Sequence, residues 1–254
     1  MQRFTGYRVI VTGAGSGIGR AIATRFVAEG ARVVIADISE ETAHATAKEL
    51  GPQATPAVVD VAHREEVDQL ISSSVAHLDG LDVMVNNVGV HHLFQPALDL
   101  PDSEFDRMLE VNTKSLLYTT RAAAPHLRDS GRGSICTIAS IGAVVIRPGA
   151  SLYAASKSAA IAFTKATALE LAPQVRVNCV LPTSTPTGLL TSVPGVDADS
   201  IQERYARNAD LLPMKRLGTG EDIAGAVAFL SSPDASFITG IALPVDGGRS
   251  AGGG

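Results

Sequence analysis

Short runs of β-branched and other apolar residues alternate with longer amphipathic segments along the whole chain. The short runs are typical of strands that are buried on both faces, and the longer segments carry the period of surface helices. The predicted strands are residues 8–12, 32–36, 55–59, 82–86, 133–139, 175–180 and 241–245. The predicted helices are residues 17–29, 40–50, 64–78, 103–127, 152–171 and 221–230. Strict alternation of strands and helices predicts a parallel sheet with helices on both faces.

Seven strands and six helices without a Pro-, Ser- and Gly-rich linker indicate one Rossmann-type, doubly wound α/β domain over residues 1–254. In such folds the ligands bind beyond the carboxyl ends of the strands, so functional residues are expected just after strands. Residues 183–213 interrupt the alternation and contain only a short predicted helix at 200–208. A connection this long is typical of a lid, and we expect it to be the substrate-binding loop.

Composition narrows the classes of partner. Apolar residues make up 45% of the chain and Trp is absent, which suits Val- and Ile-rich strands under Ala-rich helices. The net charge of −5 and the lack of a basic stripe argue against a nucleic-acid partner. No apolar run reaches the roughly 18 residues of a membrane span, and the N-terminus does not read as a signal peptide. We therefore expect a cytoplasmic protein, with structural roles for Cys136 and Cys179.

A glycine-rich turn follows the first predicted strand and opens the first predicted helix. Glycines at such a turn let the backbone approach a pyrophosphate, and the helix N-terminus offers free N–H groups. A turn of this kind is a weak signal alone and a strong one between a first strand and a first helix. The candidate dinucleotide-binding residues of this turn are Gly13, Ser16, Gly17, Ile18 and Gly19.

Asp37 ends the second predicted strand, where an acidic side chain binds the ribose hydroxyls of NAD and repels the 2′-phosphate of NADP. No Arg or Lys stands in the glycine turn or directly after Asp37, so NAD is favoured over NADP. Further candidates for cofactor contact follow the third and fourth strands. Since Asp, Asn and Gly favour turns intrinsically, these residues could equally be turn formers. They are Asp60, Val61, Asn87 and Gly89.

Tyr153 and Lys157 lie four residues apart in a predicted helix and therefore project from the same face. A Tyr side chain has a pKa of about 10, and a fixed positive charge nearby favours the phenolate. The pair, with Ser140 ahead of it, predicts a general acid/base for an alcohol oxygen. An isolated pair at this spacing is more often a chance arrangement of two surface residues, and only the dinucleotide motif makes catalysis the better interpretation.

With these motifs together, the chain resembles the short-chain dehydrogenase/reductase family over essentially its whole length. The resemblance implies NAD(P)-dependent interconversion of alcohols with aldehydes or ketones. It implies that Tyr153 is the general acid/base and that Lys157 lowers its pKa and binds the nicotinamide ribose. It further implies that Ser140 hydrogen-bonds the substrate oxygen and that Asn112 positions a water that links Lys157 to solvent.

Two departures from the family pattern concern the cofactor site. Val88 stands where the family usually has Ala in its Asn-Asn-Ala-Gly motif. After the sixth strand, Thr183 replaces the usual Gly beside the expected nicotinamide site. The residues retained there as cofactor contacts are Pro182, Thr185 and Thr187.

The expected substrate pocket is mostly apolar, which favours a hydrophobic or ring-containing secondary alcohol or ketone. Its candidate lining residues are His91, Ile141, Gly142 and Leu189. His91 and His92 lack a matching carboxylate or Cys, so no metal site is predicted. The helices at 103–127 and 152–171 carry more apolar surface than one sheet face needs, and similar proteins pair these helices across a subunit boundary. We therefore expect a homotetramer or homodimer.

Three functions remain open at the level of sequence. The first is an NAD-dependent secondary-alcohol dehydrogenase acting on a small-molecule substrate. The second is a 3-oxoacyl-(acyl-carrier-protein) reductase-like enzyme, against which Asp37 and the negative net charge argue. The third is an NAD-sensing binding protein, which typically lacks the Tyr/Lys pair.

Overall fold

The computed structural model describes residues 2–92, 94–186 and 198–252. Its centre is a seven-stranded sheet in the order β3-β2-β1-β4-β5-β6-β7, in which every neighbouring pair is parallel. The strands are β1 Arg8–Thr12, β2 Arg32–Asp37, β3 Ala54–Val58, β4 Val83–Asn86, β5 Gly133–Ile138, β6 Val175–Pro182 and β7 Ala242–Val245. This topology confirms the predicted doubly wound α/β fold.

The helices flank this sheet on both faces. They are α1 Gly17–Ala28, α2 Glu40–Leu50, α3 Arg64–Leu78, α4 Asp102–Leu109, α5 Ser115–Asp129, α6 Ser151–Leu171, α7 Ala198–Leu211 and α8 Gly220–Ser231. Val9 and Val11 of β1 pack with residues of α1 and α8, whereas Ile10 packs on the opposite face with residues of α3 and α5. Because the central strands are buried on both sides, their sequences are continuously apolar rather than alternating.

The long predicted helix at 103–127 is interrupted. A π-helical turn, Glu110–Lys114, separates α4 from α5 and contains Asn112. Such turns insert a residue into the helical repeat and are often found at functional sites. The helical period of apolar residues continues on both sides of the turn. The hydrophobic pattern alone therefore predicts one continuous helix.

The 183–213 segment is described only in part. Helix α7, Ala198–Leu211, is longer than the short helix predicted at 200–208. Two predicted site residues, Thr187 and Leu189, lie outside the described residues. The substrate-binding role of this segment stays a prediction.

The apolar residues that suggested an oligomer divide into two groups. Met108 and Leu116 are buried within the protomer, whereas Phe105 and Leu169 are exposed by 38% and 83%. Phe105 and Leu169 could contribute to a subunit interface, and the predicted homotetramer or homodimer stays a prediction. Among the described residues, none of the helices combines the length and the apolar character needed to cross a membrane.

Candidate active site

A cleft of about 720 Å³ opens at the carboxyl ends of the parallel strands, where a doubly wound sheet binds its ligands. The fold brings most of the predicted site residues into its wall. Those that line the cleft are Gly13, Ser16, Gly17, Ile18, Asp37, Asp60, Val61, Asn87, Gly89, Ser140, Tyr153, Lys157, Pro182 and Thr185. Residues that are far apart in sequence therefore share one cavity large enough for an extended ligand.

The glycine turn between β1 and α1 is held from two sides. Gly13 and Gly17 have φ angles of +63° and +53°, which a residue with a side chain rarely adopts. The Asn87 amide donates to the carbonyl oxygens of Thr12 and Gly13, both at 3.0 Å. Gly19 is buried directly behind the turn, so it supports the cleft wall without lining it. The turn is thus a compact, rigid cradle in which backbone lies close to the cavity.

Asp37 connects the end of β2 to the glycine turn. One carboxylate oxygen accepts the Gly15 N–H at 2.8 Å and the other accepts the Ser39 N–H at 3.1 Å. Ser39 itself accepts the Thr42 N–H and caps α2, so Asp37 does not serve as the cap of that helix. The carboxylate faces the cleft as a fixed negative group beside the exposed side chain of Ile38.

Asp60 and Val61 line the same part of the cleft after β3. The Asp60 carboxylate accepts the Ala62 N–H at 2.9 Å, and its backbone N–H donates to Glu66 at 2.8 Å. Asp60 therefore forms a turn, which was the alternative to a cofactor contact, and it also lines the cleft. The two interpretations are compatible, and the cofactor role of Asp60 stays a prediction.

Tyr153 lies in the first turn of α6 and meets Ser140, which follows β5. Ser140 has extended backbone and caps a 3-10 turn by accepting the Gly142 N–H at 3.0 Å. Burial raises the pKa of Tyr153, and a hydrogen bond with Ser140 opposes that rise only in part. The net direction is opposite to the lowering expected from the Lys157 spacing. The Lys157 Nζ lies 6.0 Å from the centroid of the Tyr153 ring, and burial is the largest influence on the pKa of the phenol.

Lys157 is only 4% exposed, and its Nζ donates to the Ile138 carbonyl oxygen at 2.9 Å. Burial lowers the pKa of Lys157 to about 8. A Cβ placed on Gly89 would lie 3.0 Å from the Nζ atom and 3.3 Å from Asn112 Oδ1. Glycine at position 89 therefore leaves room for the ammonium group at the wall of the cleft.

Asn112 is buried and lies behind the cleft rather than on its surface. Its Oδ1 accepts the Val90 N–H at 2.8 Å, and its Nδ2 donates to Val90 O and Ser156 Oγ, both at 3.0 Å. The Ser156 hydroxyl in turn donates to the Tyr153 carbonyl oxygen at 2.9 Å. Asn112 thus joins the segment after β4 to the helix that carries Tyr153 and Lys157. Its water-positioning role stays a prediction.

The departures at positions 88 and 183 are accommodated by the fold. Val88 and Thr183 both line the cleft, and the Thr185 hydroxyl donates to the Thr183 carbonyl oxygen at 3.2 Å. Thr183 has no left-handed backbone, so the position does not require glycine.

The substrate-lining role of His91, Ile141, Gly142 and Leu189 stays a prediction. Ile141 is 7% exposed and His91 is 7% exposed, and neither is among the residues that line the described cleft. Gly142 lies beside Ser140 and the Tyr153 ring, with a Cβ position 3.3 Å from Ser140 Oγ. The His91 side chain stacks on the Tyr153 ring instead.

Other residues of the cleft were not singled out from sequence. Ser156 is fully buried and does not line the cleft, but it links Asn112 to the Tyr153 backbone, and its only sequence signal is its position between Tyr153 and Lys157. The remaining residues are a mixture of apolar and charged side chains with no motif of their own. They are Ile38, Val59, Ala62, His63, Arg107, Glu110, Val111, Ile138 and Ala139.

Substitution Gly19→Ala is expected to damage the glycine turn. A Cβ at this position would overlap the carbonyl oxygen of Gly13, which is backbone and has no room to move. We expect a loss of about 1–3 kcal/mol in the free energy of unfolding and weaker NADH binding. Thermal unfolding and NADH fluorescence titration measure both effects.

Gly225→Ala is the matched control, since a Cβ there meets nothing within 4 Å and lies inside α8. It should leave NADH binding unchanged and increase stability slightly. Equal stability and equal NADH affinity of the Gly19→Ala variant and the wild type would contradict the proposed close packing.

Comparison with known proteins places this geometry in a family. A family model described as enoyl-(acyl carrier protein) reductase matches residues 13–250. The 4-formylbenzenesulfonate dehydrogenase of Comamonas testosteroni is 40% identical over 246 residues, which cover 95% of this chain and 96% of that protein. Human dehydrogenase/reductase SDR family member 4 is 35% identical over 243 residues, 94% of this chain and 86% of that protein.

Among solved structures, 3-ketoacyl-(acyl-carrier-protein) reductase from Brucella melitensis complexed with NADH superimposes with a TM-score of 0.90. It is 38% identical, and the match covers 97% of this chain and 99% of that chain. Sequence and fold thus agree over nearly the whole length. The chain belongs to the short-chain dehydrogenase/reductase family of oxidoreductases.

Proposed function

We propose that the protein is an NAD-dependent oxidoreductase that interconverts a secondary alcohol and a ketone. One observation carries the proposal. The cleft is lined by Ser140, Tyr153 and Lys157, and the same cleft is also lined by Asp37. Reversible carbonyl reduction with a nicotinamide cofactor needs a proton-transfer group in the cofactor cavity, and an acidic side chain suits the ribose hydroxyls of NAD.

The residues present fit a dinucleotide. The cradle of Gly13 and Gly17 leaves backbone open to a pyrophosphate at the N-terminus of α1. Asp37 would hold the ribose hydroxyls of the adenosine half, and Lys157 would hold those of the nicotinamide half. When bound, the cofactor supplies or accepts the hydride.

The remaining chemistry belongs to this chain. In the reductive direction Tyr153 donates its phenolic proton to the ketone oxygen, and the pKa raised by burial keeps that proton available at neutral pH. In the oxidative direction the Tyr153 phenolate, which the Lys157 ammonium stabilises, accepts the alcohol proton and becomes the neutral phenol. Ser140 Oγ accepts the Gly142 N–H, so its own proton can donate to the substrate oxygen.

An apolar or ring-containing substrate suits the surroundings of Ser140. Val144 and Ile146 follow it and are exposed by 54% and 62%, although both are large apolar side chains. Helix α7 and the 183–213 loop would then cover the substrate, and Thr185 and Thr187 would meet the carboxamide of the cofactor. The Comamonas relative, whose name specifies an aromatic aldehyde, agrees with a ring-containing substrate.

A panel of cyclic, aromatic and acyclic alcohols and ketones, followed through NADH or NADPH fluorescence, tests the function. We expect turnover of at least one ring-containing secondary alcohol or ketone with NAD(H). Turnover of acetoacetyl thioesters alone would favour a 3-oxoacyl-(acyl-carrier-protein) reductase-like enzyme, which the Brucella neighbour supports as the second candidate. Tight NADH binding without any turnover would favour an NAD-sensing protein.

Asp37→Asn is expected to weaken the discrimination against NADP. Asparagine keeps an oxygen that can accept the Gly15 N–H, but it removes the negative charge that would repel a 2′-phosphate. We expect the ratio of kcat/KM for NADP to that for NAD to rise about tenfold or more. Steady-state kinetics with both cofactors measure this ratio.

Glu40→Gln removes an exposed negative charge close by in the first turn of α2 and serves as the control. It should change the cofactor ratio by less than about twofold, because an exposed charge is screened by water and salt. A wild-type enzyme that prefers NADP would contradict the assignment of Asp37.

A further inference from the structure

An imidazole covers the ring of the proposed acid/base. The His91 and Tyr153 rings are stacked, with centroids 4.2 Å apart and planes inclined by 28°. Phe94 extends the contact on the His91 side, with ring centroids 4.6 Å apart. His91 is 7% exposed, so its ring is buried in this contact, whereas Phe94 is 37% exposed.

The His91 ring is itself held in place. Its Nδ1 lies 2.6 Å from the His92 carbonyl oxygen, and a carbonyl oxygen can only accept, so Nδ1 carries a proton. The His91 carbonyl oxygen accepts a hydrogen bond from Arg107 Nη2 at 3.0 Å. Arg107 is paired with Glu104 at 2.8 Å, so α4 anchors the backbone from which the imidazole projects.

The neighbouring His92 holds Tyr153 by its backbone. Tyr153 is in the first turn of α6, where backbone N–H groups lack acceptors within the helix. The His92 Nε2 atom accepts the Tyr153 N–H at 3.4 Å. Consecutive residues after β4 therefore contact the ring and the backbone of the same Tyr.

We propose that His91 is a positioning residue for Tyr153, and that its flat ring fixes where the phenol oxygen lies. Rotation of the Tyr153 ring about its Cβ–Cγ bond leaves the phenol oxygen in place. A tilt of the whole ring moves that oxygen farther than it moves any ring atom. A general acid acts only within about 2.6–3.2 Å of its partner, so a small tilt is costly. The stack opposes that tilt.

This inference rests on the proposed function, and two substitutions separate its parts. His91→Asn keeps an amide that can donate to the His92 carbonyl oxygen but removes the ring. His91→Phe keeps a flat ring but removes that donor. We expect His91→Asn to lower kcat about tenfold with the KM for NADH within about twofold, and His91→Phe to remain within about threefold of wild type.

A readout without turnover follows the ring directly. The chain has 4 Tyr residues, so 3-fluorotyrosine labelling gives few ¹⁹F resonances, and Tyr153→Phe assigns that of Tyr153. We expect the Tyr153 resonance to shift in His91→Asn and to return toward the wild-type position in His91→Phe. His44→Ala, on the exposed face of α2, is the control and should change neither kcat nor this resonance.

The outcomes separate the two proposals. An active wild type with unchanged kcat and an unshifted Tyr153 resonance in His91→Asn would overturn the positioning role and leave the proposed function standing. A loss of kcat in His91→Phe with full activity in His91→Asn would show that the hydrogen bond, not the stack, matters and would also overturn it. An inactive wild type whose Tyr153 resonance responds only to His91→Asn would support the positioning role and contradict the proposed function.

Discussion

Tyr153→Phe is expected to lower kcat by about 10²–10⁴-fold, because it removes only the hydroxyl that exchanges a proton with the substrate oxygen. The ring that stacks on His91 remains, so the packing of the first turn of α6 is preserved. The cradle of the glycine turn is untouched, and the Kd for NADH should stay within about threefold of the wild-type value. Steady-state kinetics and NADH fluorescence titration measure the two quantities separately.

Tyr118→Phe is the matched control, since it removes the same hydroxyl from a Tyr of α5 that packs against the core away from the cleft. It should leave kcat unchanged. Full activity of the Tyr153→Phe variant would refute the assignment of Tyr153 as general acid/base. Loss of NADH binding together with activity would instead assign Tyr153 mainly to the cofactor.

Asp82→Asn is expected to cause a large loss of stability without affecting the cleft. Asp82 is fully buried just before the amino end of β4. The cleft opens at the other ends of the strands. Its carboxylate accepts from Arg8 Nε at 2.8 Å and from Arg132 Nε at 2.9 Å. Both Arg side chains are partly exposed, by 23% and 40%, so water can take up part of their charge. We therefore expect a loss of about 2–3 kcal/mol, below the full cost of an isolated buried charge.

The loss of stability in Asp82→Asn should become smaller as the pH falls. Burial raises the pKa of Asp82, but hydrogen bonds from Arg8 and Arg132 outweigh it, and the net pKa lies below the ordinary value of 3.8. A carboxyl group with a lowered pKa in the folded state stabilises the protein above its unfolded-state pKa. The difference in free energy of unfolding between wild type and Asp82→Asn should therefore be full near neutral pH and shrink as the pH falls below about 4.

Thermal unfolding between pH 3 and 7 measures this dependence, with an expected decrease in Tm of about 5–10 °C at neutral pH. Asp68→Asn is the control, because its pairing with Arg64 on α3 is about half exposed at both ends. It should cost less than about 0.5 kcal/mol. A Tm difference for Asp82→Asn that grows toward acid pH would contradict the lowered pKa of Asp82.

The order of the elements could be predicted well because it depends on local periodicity. The doubly wound fold agrees with the seven parallel strands observed, and predicted and observed strand ends differ by at most two residues. Asp37 ends β2, Ser140 follows β5 and Tyr153 lies in the first turn of α6, and all three line the same cleft. The π-helical turn at Glu110–Lys114 could not be read from hydrophobic period, because one extra residue leaves the period on either side intact.

The pKa values of Tyr153 and Lys157 were harder to predict from sequence than the positions of these residues. Spacing placed a Lys beside a Tyr on one helix face, and both residues do line the cleft. Spacing does not report burial, which raises the pKa of Tyr153 and lowers that of Lys157 to about 8. Desolvation depends on everything that packs around a group, and that environment comes from several elements at once.

The sequence by itself determined the fold class, the family and the strand ends at which the chemistry gathers. These follow from hydrophobic period and turn residues, which act over a few neighbouring positions. Only the tertiary structure decided that Asn112 joins Val90 to Ser156, that His91 stacks on Tyr153 and that two Arg side chains meet Asp82. Each of these contacts joins residues from different elements, so it exists only after those elements have packed.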